Sequence, residues 1–302
     1  MDAFPNISII GPGKVGTAIG VLAARAQLPV VAVAGGSPGA AERAAEAIGG
    51  SADACGVFDA AGAGELVLLT VPDDRIADLC AELAVRQAFT PGAVVAHCSG
   101  ALPSEALAEA RDRCCCLIGS MHPLQTFATT DAAVARLPGA WCFCEGDATA
   151  VACLIKLAEA IGAHAARISP ERKAAYHAAA VVACNYFVAL ADAAAALAES
   201  AGLDRQTWLA AVEPMMRAAV ENVAAIGPEK ALTGPIARGD IQTVRRHLDA
   251  LAGKGESIRR LYAGCGLQAV DLARRTRRIS AETAAALADL LRRFLGEPGG
   301  RN

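Results

Sequence analysis

Hydrophobic positions fall into two regimes along this chain. Through its first half, short apolar runs alternate with longer amphipathic stretches, and glycine or proline marks the turns between them. The runs at residues 7–10, 30–34, 66–71 and 93–98 are too short for helices and mainly β-branched or apolar, which predicts strands buried on both faces. Helices are predicted between them over 16–26, 40–48 and 75–86. Strand and helix alternating at this spacing implies βαβ units and a doubly wound parallel sheet. The runs at 114–118, 141–144 and 164–168 extend that sheet.

After Ser169-Pro170 the pattern changes to helix alone. Ser169 is placed to cap a helix whose first turn holds Pro170. That helix is predicted over 171–200, roughly 45 Å long at 1.5 Å per residue, with Gly202 as its stop. Further helices follow over 205–227, 240–252, 257–274 and 280–295. The expected architecture is an α/β doubly wound domain over 1–168 followed by an all-helical domain over 169–302.

Composition narrows the class. Of 302 residues, 54% are hydrophobic and 20% charged, so the chain buries large cores and is not disordered. No uninterrupted apolar run reaches the ~20 residues of a membrane span, and the opening Met1-Asp2-Ala3-Phe4-Pro5 lacks the form of a secretion signal. The expectation is a cytoplasmic protein without a membrane partner. Eleven cysteines, three of them consecutive at Cys114, Cys115 and Cys116, lie inside apolar runs and read as reduced, buried thiols. Their spacing forms no zinc motif, and no metal is expected. The net charge of −3 divides unevenly. Residues 1–165 carry nine basic and seventeen acidic side chains, and residues 166–302 carry nineteen and fourteen. The Arg274–Arg278 cluster dominates the second half. With few aromatics and a pI near 6.0, it reads as a solvated helix face or a cationic wall rather than a nucleic-acid surface.

The candidate chemistry begins at Gly11-Pro12-Gly13-Lys14-Val15-Gly16, which follows the first strand and opens the first helix. Gly11 makes the tight turn, Gly13 lets the backbone approach a pyrophosphate, and Gly16 lets helix and strand pack closely. The amides from Lys14 and Val15 onward then meet the phosphate charge. Residues 1–168 therefore read as a Rossmann domain. The second strand ends in Ala34-Gly35-Gly36-Ser37, with Arg43 one turn into the next helix. No carboxylate stands there to bind a ribose hydroxyl. Gly36, Ser37 and Arg43 suit a 2′-phosphate instead, so the expected cofactor is NADP(H). Val71, Pro72 and Asp73 close the next long strand at the ligand-binding edge, with Asp73 read chiefly as a helix cap.

His97-Cys98-Ser99-Gly100 and Ser120-Met121-His122-Pro123 follow strands at that same edge. His97 reads as a satisfied core histidine. Ser99 and Gly100 are candidates to contact cofactor or substrate, and His122, in a turn beside Pro123, is a candidate catalytic or substrate-binding residue. Lys173 and His177 lie four residues apart on one helix face. Reduction of a carbonyl leaves a developing alkoxide, and a lysine or histidine can supply its proton. Helix geometry turns Asn185 about 80° from His177, at the margin of a substrate site. A His122/His177 metal pair lacks a third ligand.

These residues resemble a known superfamily. GPGKVG, the VPDD strand end and Lys173-x-x-x-His177 are similar to features of the β-hydroxyacid dehydrogenases and ketopantoate reductases, with pyrroline-5-carboxylate reductase a further relative. Several of those enzymes carry a Lys-x-x-x-Asn catalytic pair. Lys173 matches its lysine, and His177 stands where its asparagine would. The stretches HCSGAL, MHPLQTF, YHAAAVVACNY and LTGPIARGD resemble more closely a branch of Rossmann-like proteins whose helical C-terminal domain has unknown function and is of the 6-phosphogluconate dehydrogenase kind. That resemblance spans nearly the whole chain. It implies an NADP-dependent oxidoreductase of a small substrate, a homodimer joined through the helical domain, and Thr233 brought with a helix start towards the cleft. Two function classes remain: hydride transfer to or from a small carbonyl, hydroxy-acid or imine at the domain junction, and a sensor that binds NADP(H) without turning it over.

Overall fold

The computed structural model describes residues 3–37 and 39–296, so Met1 and Asp2 of the N-terminal stretch lie outside it. The chain divides into two compact units, Met1–Phe187 and Val188–Asn302.

The first unit is built on one eight-stranded sheet in the order β3-β2-β1-β4-β5-β6-β7-β8. Its strands are β1 (Ile7–Ile10), β2 (Val30–Ala34), β3 (Asp53–Ala54), β4 (Leu66–Leu69), β5 (Val94–His97), β6 (Leu117–Leu124), β7 (Trp141–Gly146) and β8 (His164–Arg167). Neighbours from β3 to β6 pair in parallel, β7 runs antiparallel to β6, and β8 is parallel to β7. The helices α1 (Lys14–Arg25), α2 (Ala40–Ile48), α3 (Val57–Ala63), α4 (Asp73–Val85), α5 (Ala108–Cys114), α6 (Thr130–Arg136) and α7 (Ala148–Ala160) pack around it.

Alternate strand positions feed two cores, as expected of a sheet covered on both faces. Ile7, Ile9, Leu66 and Leu68 pack with Ile19, Leu154 and Leu157. Ile10, Val67 and Leu69 pack with Ile76, Leu83 and Leu107. This is the doubly wound α/β class that the run spacing predicts. Two-residue β3 and the alanine-rich α3, α5, α6 and α7 carry too little periodic contrast to be read from sequence.

Two expectations need correction. The strand expected over 114–118 starts later and continues to Leu124. Ser120 and His122 therefore sit inside β6, not on a turn after it. Antiparallel pairing with β7 prolongs the strand, matching Ser120 to Glu145 and His122 to Phe143. The single helix expected over 171–200 is also broken. A 3₁₀ turn (Pro170–Arg172) leads into α8 (Lys173–Ala180), a π-helical turn (Val181–Asn185) and α9 (Tyr186–Ser200). Ser169 occupies the N-cap position, but its hydroxyl donates to Glu171 at 2.6 Å and caps nothing. The wider π turn shifts the face of every later residue, and Asn185 is exposed. By length and composition, Pro170–Ser200 is apolar enough to cross a membrane, holding an 18-residue window with a mean hydropathy of 1.8. Tyr176, His177 and Asn185 interrupt its apolar run, yet residues 174–191 hold no Asp, Glu, Lys or Arg.

The second unit is helical: α10 (Arg205–Ala231), α11 (Gly234–Ala237), α12 (Ile241–Leu251), α13 (Glu256–Arg275) and α14 (Ala281–Phe294) follow α9. Gly227 breaks α10 with φ 77° and ψ 159°, at the expected helix end. Val244, Leu248, Ala263, Val270, Leu287 and Leu291 form this unit's core.

Candidate functional site

A cleft opens at the carboxyl ends of β1 and β4, where the sheet order reverses and open α/β sheets bind ligands. Gly11 turns there with φ 103°, and a Cβ at that position would lie 2.7 Å from the Val71 nitrogen. Thr70 Oγ1 donates to the Gly11 carbonyl at 2.6 Å and locks the turn. A Cβ on Gly16 would overlap Thr70 Oγ1 and lie 2.7 Å from the Gly11 carbonyl oxygen. Both glycines are thus demanded by close packing. Gly13 differs: no atom lies within 4 Å of its Cβ position. It is the N-cap of α1, makes no side-chain cap bond, and precedes a first turn without acidic residues. The start of α1 has no side-chain cap among the described residues, and the space at Gly13 is open, which fits a dinucleotide pyrophosphate.

The cleft encloses about 560 Å³, and Gly11, Gly13, Gly36, Ser37, Val71 and Pro72 all line it. So do Phe58, Thr70, Arg75 and Glu82, which the sequence did not single out. Lys14 and Val15 open α1 beside it. Arg43 is exposed on α2, its Nη1 2.8 Å from the Cβ position of Gly39. Asp73 is not the cap of α4, because Pro72 holds that position. Its carboxylate instead accepts the Ser99 hydroxyl at 2.7 Å. Ser99 Oγ also accepts from the Ala101 and Leu102 amides at 3.2 and 3.0 Å. Its one hydroxyl proton is already committed to Asp73.

A second group of side chains collects beyond β5 and β6. His97, fully buried at the end of β5, accepts the Ser99 amide at Nδ1 (3.2 Å) and faces the Pro103 carbonyl with Nε2 (3.2 Å). Burial, with Lys173 nearby, pushes its imidazole down to about 4. It is the satisfied core histidine expected. Lys173 is buried too, with 1% of its side chain exposed. Its ammonium donates to Ser120 Oγ and, at 3.2 Å, to Glu145 Oε1. Glu145 in turn accepts the Ser104 amide (2.8 Å) and hydroxyl (2.7 Å). Burial holds the lysine below its ordinary value despite the pull of Glu145.

His122 and His177 meet over Gly100, their ring centroids 5.7 Å apart and edge-on. A Cβ on Gly100 would overlap His177 Cδ2 and lie 2.8 Å from His122 Nε2. Tyr176 Oη lies 2.8 Å from His122 Nδ1, and its ring stands 4.7 Å from that of Phe143. The structure therefore brings Gly100, His122, His177 and Lys173 into one neighbourhood. Tyr176, Ser120 and Glu145 join them. Thr233 is exposed at the N-cap of α11 in the second unit and edges an apolar pocket there.

Residues 2–123 match the Rossmann-like domain family, and residues 140–269 match the domain of unknown function DUF2520. The chain carries a Rossmann-like domain followed by a DUF2520 domain. The resemblance stated on HCSGAL, MHPLQTF, YHAAAVVACNY and LTGPIARGD, to Rossmann-like proteins with a C-terminal domain of unknown function, is thereby shown. None of the curated proteins matches. Among solved structures, BF3122 of Bacteroides fragilis, whose name provisionally places it among NADP oxidoreductases, has a TM-score of 0.69 at 21% identity, covering 89% of this chain and 98% of that one. Protein TM1727 of Thermotoga maritima has a TM-score of 0.66 at 26% identity, covering 92% and 98%. The pyrroline carboxylate reductase of Plasmodium falciparum, solved with NADP bound, has a TM-score of 0.56 at 12% identity, covering 95% and 100%. These likenesses establish a shared fold. Within it, Gly100, Ser120 and His122 fall in the Rossmann-like match, whereas Glu145, Lys173, Tyr176 and His177 fall in the DUF2520 match.

Proposed function

We propose that this protein is an NADP(H)-dependent oxidoreductase acting on a small carbonyl, hydroxy-acid or imine. One observation carries the reading: a glycine turn locked by Thr70 leaves the uncapped start of α1 facing a cleft large enough for a dinucleotide. A bound dihydronicotinamide supplies the hydride. Gly11, Gly13 and Gly16 shape its phosphate site, and Gly36, Ser37 and Arg43 bear the selectivity for a 2′-phosphate. His122 and His177, over Gly100, are the groups able to donate to the reacting oxygen or nitrogen. The similarity to BF3122 and to an NADP-bound reductase supports the cofactor.

A second reading, an NADP(H)-binding sensor without turnover, draws on Lys173. The lysine that the superfamily resemblance makes catalytic is committed here to Glu145 and Ser120. We also propose a homodimer in a reducing, cytoplasmic compartment. All eleven cysteines are free, and Val182, Tyr186, Phe187 and Val188 expose 40% to 66% of their surfaces, an apolar face that a second copy would cover. Sedimentation of the intact chain checks this, and a monomer refutes it.

The deciding experiment titrates the protein with NADPH and NADH separately, following nucleotide fluorescence, in the native chain and in Arg43→Ala. Tighter NADPH binding, weakened by Arg43→Ala while NADH binding is unchanged, supports cofactor and selectivity together. Absence of binding by either nucleotide refutes the function. Substrate-dependent oxidation of NADPH by 2-oxo acids or cyclic imines then eliminates the sensor.

A further inference from the structure

We infer that Tyr176 is a positioning residue that fixes the tautomer of His122, so that a neutral imidazole presents its Nε2–H to the substrate. The inference rests on the oxidoreductase reading and deepens it by naming the proton route.

The geometry starts from the helical period. Residues 173, 176 and 177 share one face of α8. Lys173 points inward to Ser120 and Glu145 on β6 and β7, and Tyr176 lies two residue pairs further along the same strands, against His122 and Phe143. A phenol hydrogen in a half-buried site needs an acceptor, and His122 Nδ1, 2.8 Å away, is the partner that can accept it among the described residues. Once Nδ1 accepts, the single proton of a neutral imidazole resides on Nε2. That atom has no hydrogen-bond partner among the described residues and is not sealed from solvent. It stands above Gly100, where a side chain would displace it.

The surroundings favour this charge state. Burial raises the Tyr176 phenol to about 12, so it keeps its proton. Burial, then His177 and Lys173, lower His122 to about 4, with Asp73 acting the other way. The neutral imidazole is thus the working form at pH 7. A neutral imidazole is a strong enough hydrogen-bond donor to polarise a carbonyl.

The proton step balances. A bound dihydronicotinamide would supply hydride to the carbonyl carbon, and the C=O π pair would move to oxygen. That oxygen takes the Nε2 proton, while Nδ1 takes the phenol proton. The imidazole stays neutral, and the phenol oxygen takes a proton from water as its own leaves, the hydroxide passing to bulk solvent. Lys173 lies on the same helix face, held by Glu145 and Ser120, and the proposed proton route does not pass through it.

The test is ¹⁵N NMR of histidine-labelled full-length protein without substrate, with His122→Gln used to assign the His122 resonances. Native His122 is expected as the Nε2–H form, with Nδ1 showing the shift of a hydrogen-bonded pyridine-type nitrogen. Tyr176→Phe keeps the ring against Phe143 and removes only the donor. In it the Nδ1 resonance should move towards that of an unbonded nitrogen, and the Nδ1–H form should gain population. Turnover should fall at least about tenfold in kcat, with KM and NADPH affinity unchanged. A native Nδ1–H tautomer, or a His122 spectrum unaltered in Tyr176→Phe, overturns the inference. The spectra need neither cofactor nor turnover, so failure of the oxidoreductase reading shows separately, in the nucleotide titration.

Discussion

Lys173→Met tests whether the buried ion pair exists and what it does. The substitution keeps the side-chain volume close and removes the charge, leaving the Glu145 carboxylate with only the Ser104 amide and hydroxyl as partners. Breaking a buried pair by removing one member costs about 3–5 kcal/mol. The variant should therefore lose about 3–5 kcal/mol at neutral pH. Urea denaturation of native, Lys173→Met, Glu145→Gln and doubly substituted chains closes a double-mutant cycle. The double variant should regain more than half of the loss, since an uncharged amide can still accept from Ser104. It also keeps the test informative should Lys173→Met alone fail to fold. A Lys173→Met chain within about 1 kcal/mol of native, or a double variant no more stable than the single, refutes the reasoning. Substrate turnover in the double variant, once a substrate is found, separates a positioning lysine from a proton donor: partial activity fits the first and complete loss the second.

Two more predictions concern the same neighbourhood. Gly100→Ala should abolish turnover and leave NADPH binding intact, because its methyl would overlap His177 Cδ2 and crowd His122 Nε2, away from the glycine turn. Full turnover in this variant refutes the placement of the two histidines. His97 should make the first unit acid-sensitive. Its folded value of about 4 lies below the ordinary 6.5, so the unfolded chain takes the proton first. Stability is then fully present above about pH 6.5 and falls towards pH 4 by about 3 kcal/mol (about 2.5 steps at 1.36 kcal/mol). Urea midpoints of native and His97→Gln chains across that window read the difference, and parallel curves refute it.

The architecture was legible because its signals are local. A parallel sheet covered on both faces writes itself as short apolar runs, and a phosphate turn writes itself as glycines where packing forbids a Cβ. Gly11 and Gly16 show that reason directly, against Val71 and Thr70. The candidate site was only half legible because its partners are set by pairing across the chain. The four-residue spacing of Lys173 and His177 correctly places both on one helix face, but says nothing of what that face meets. It is the antiparallel ladder of β6 and β7, with Ser120 opposite Glu145 and His122 opposite Phe143, that decides the matter. One end of the ladder offers a carboxylate and a hydroxyl, and Lys173 is drawn there. Two pairs further, the ladder offers an imidazole and an aromatic ring, and Tyr176 fits both. A tyrosine in an alanine-rich apolar helix carries no mark of function in the sequence. It acquires one only when the ladder beneath it places a histidine nitrogen within reach of its hydroxyl, which is why the residue with the clearest hydrogen bond to His122 was absent from the sequence-level candidates.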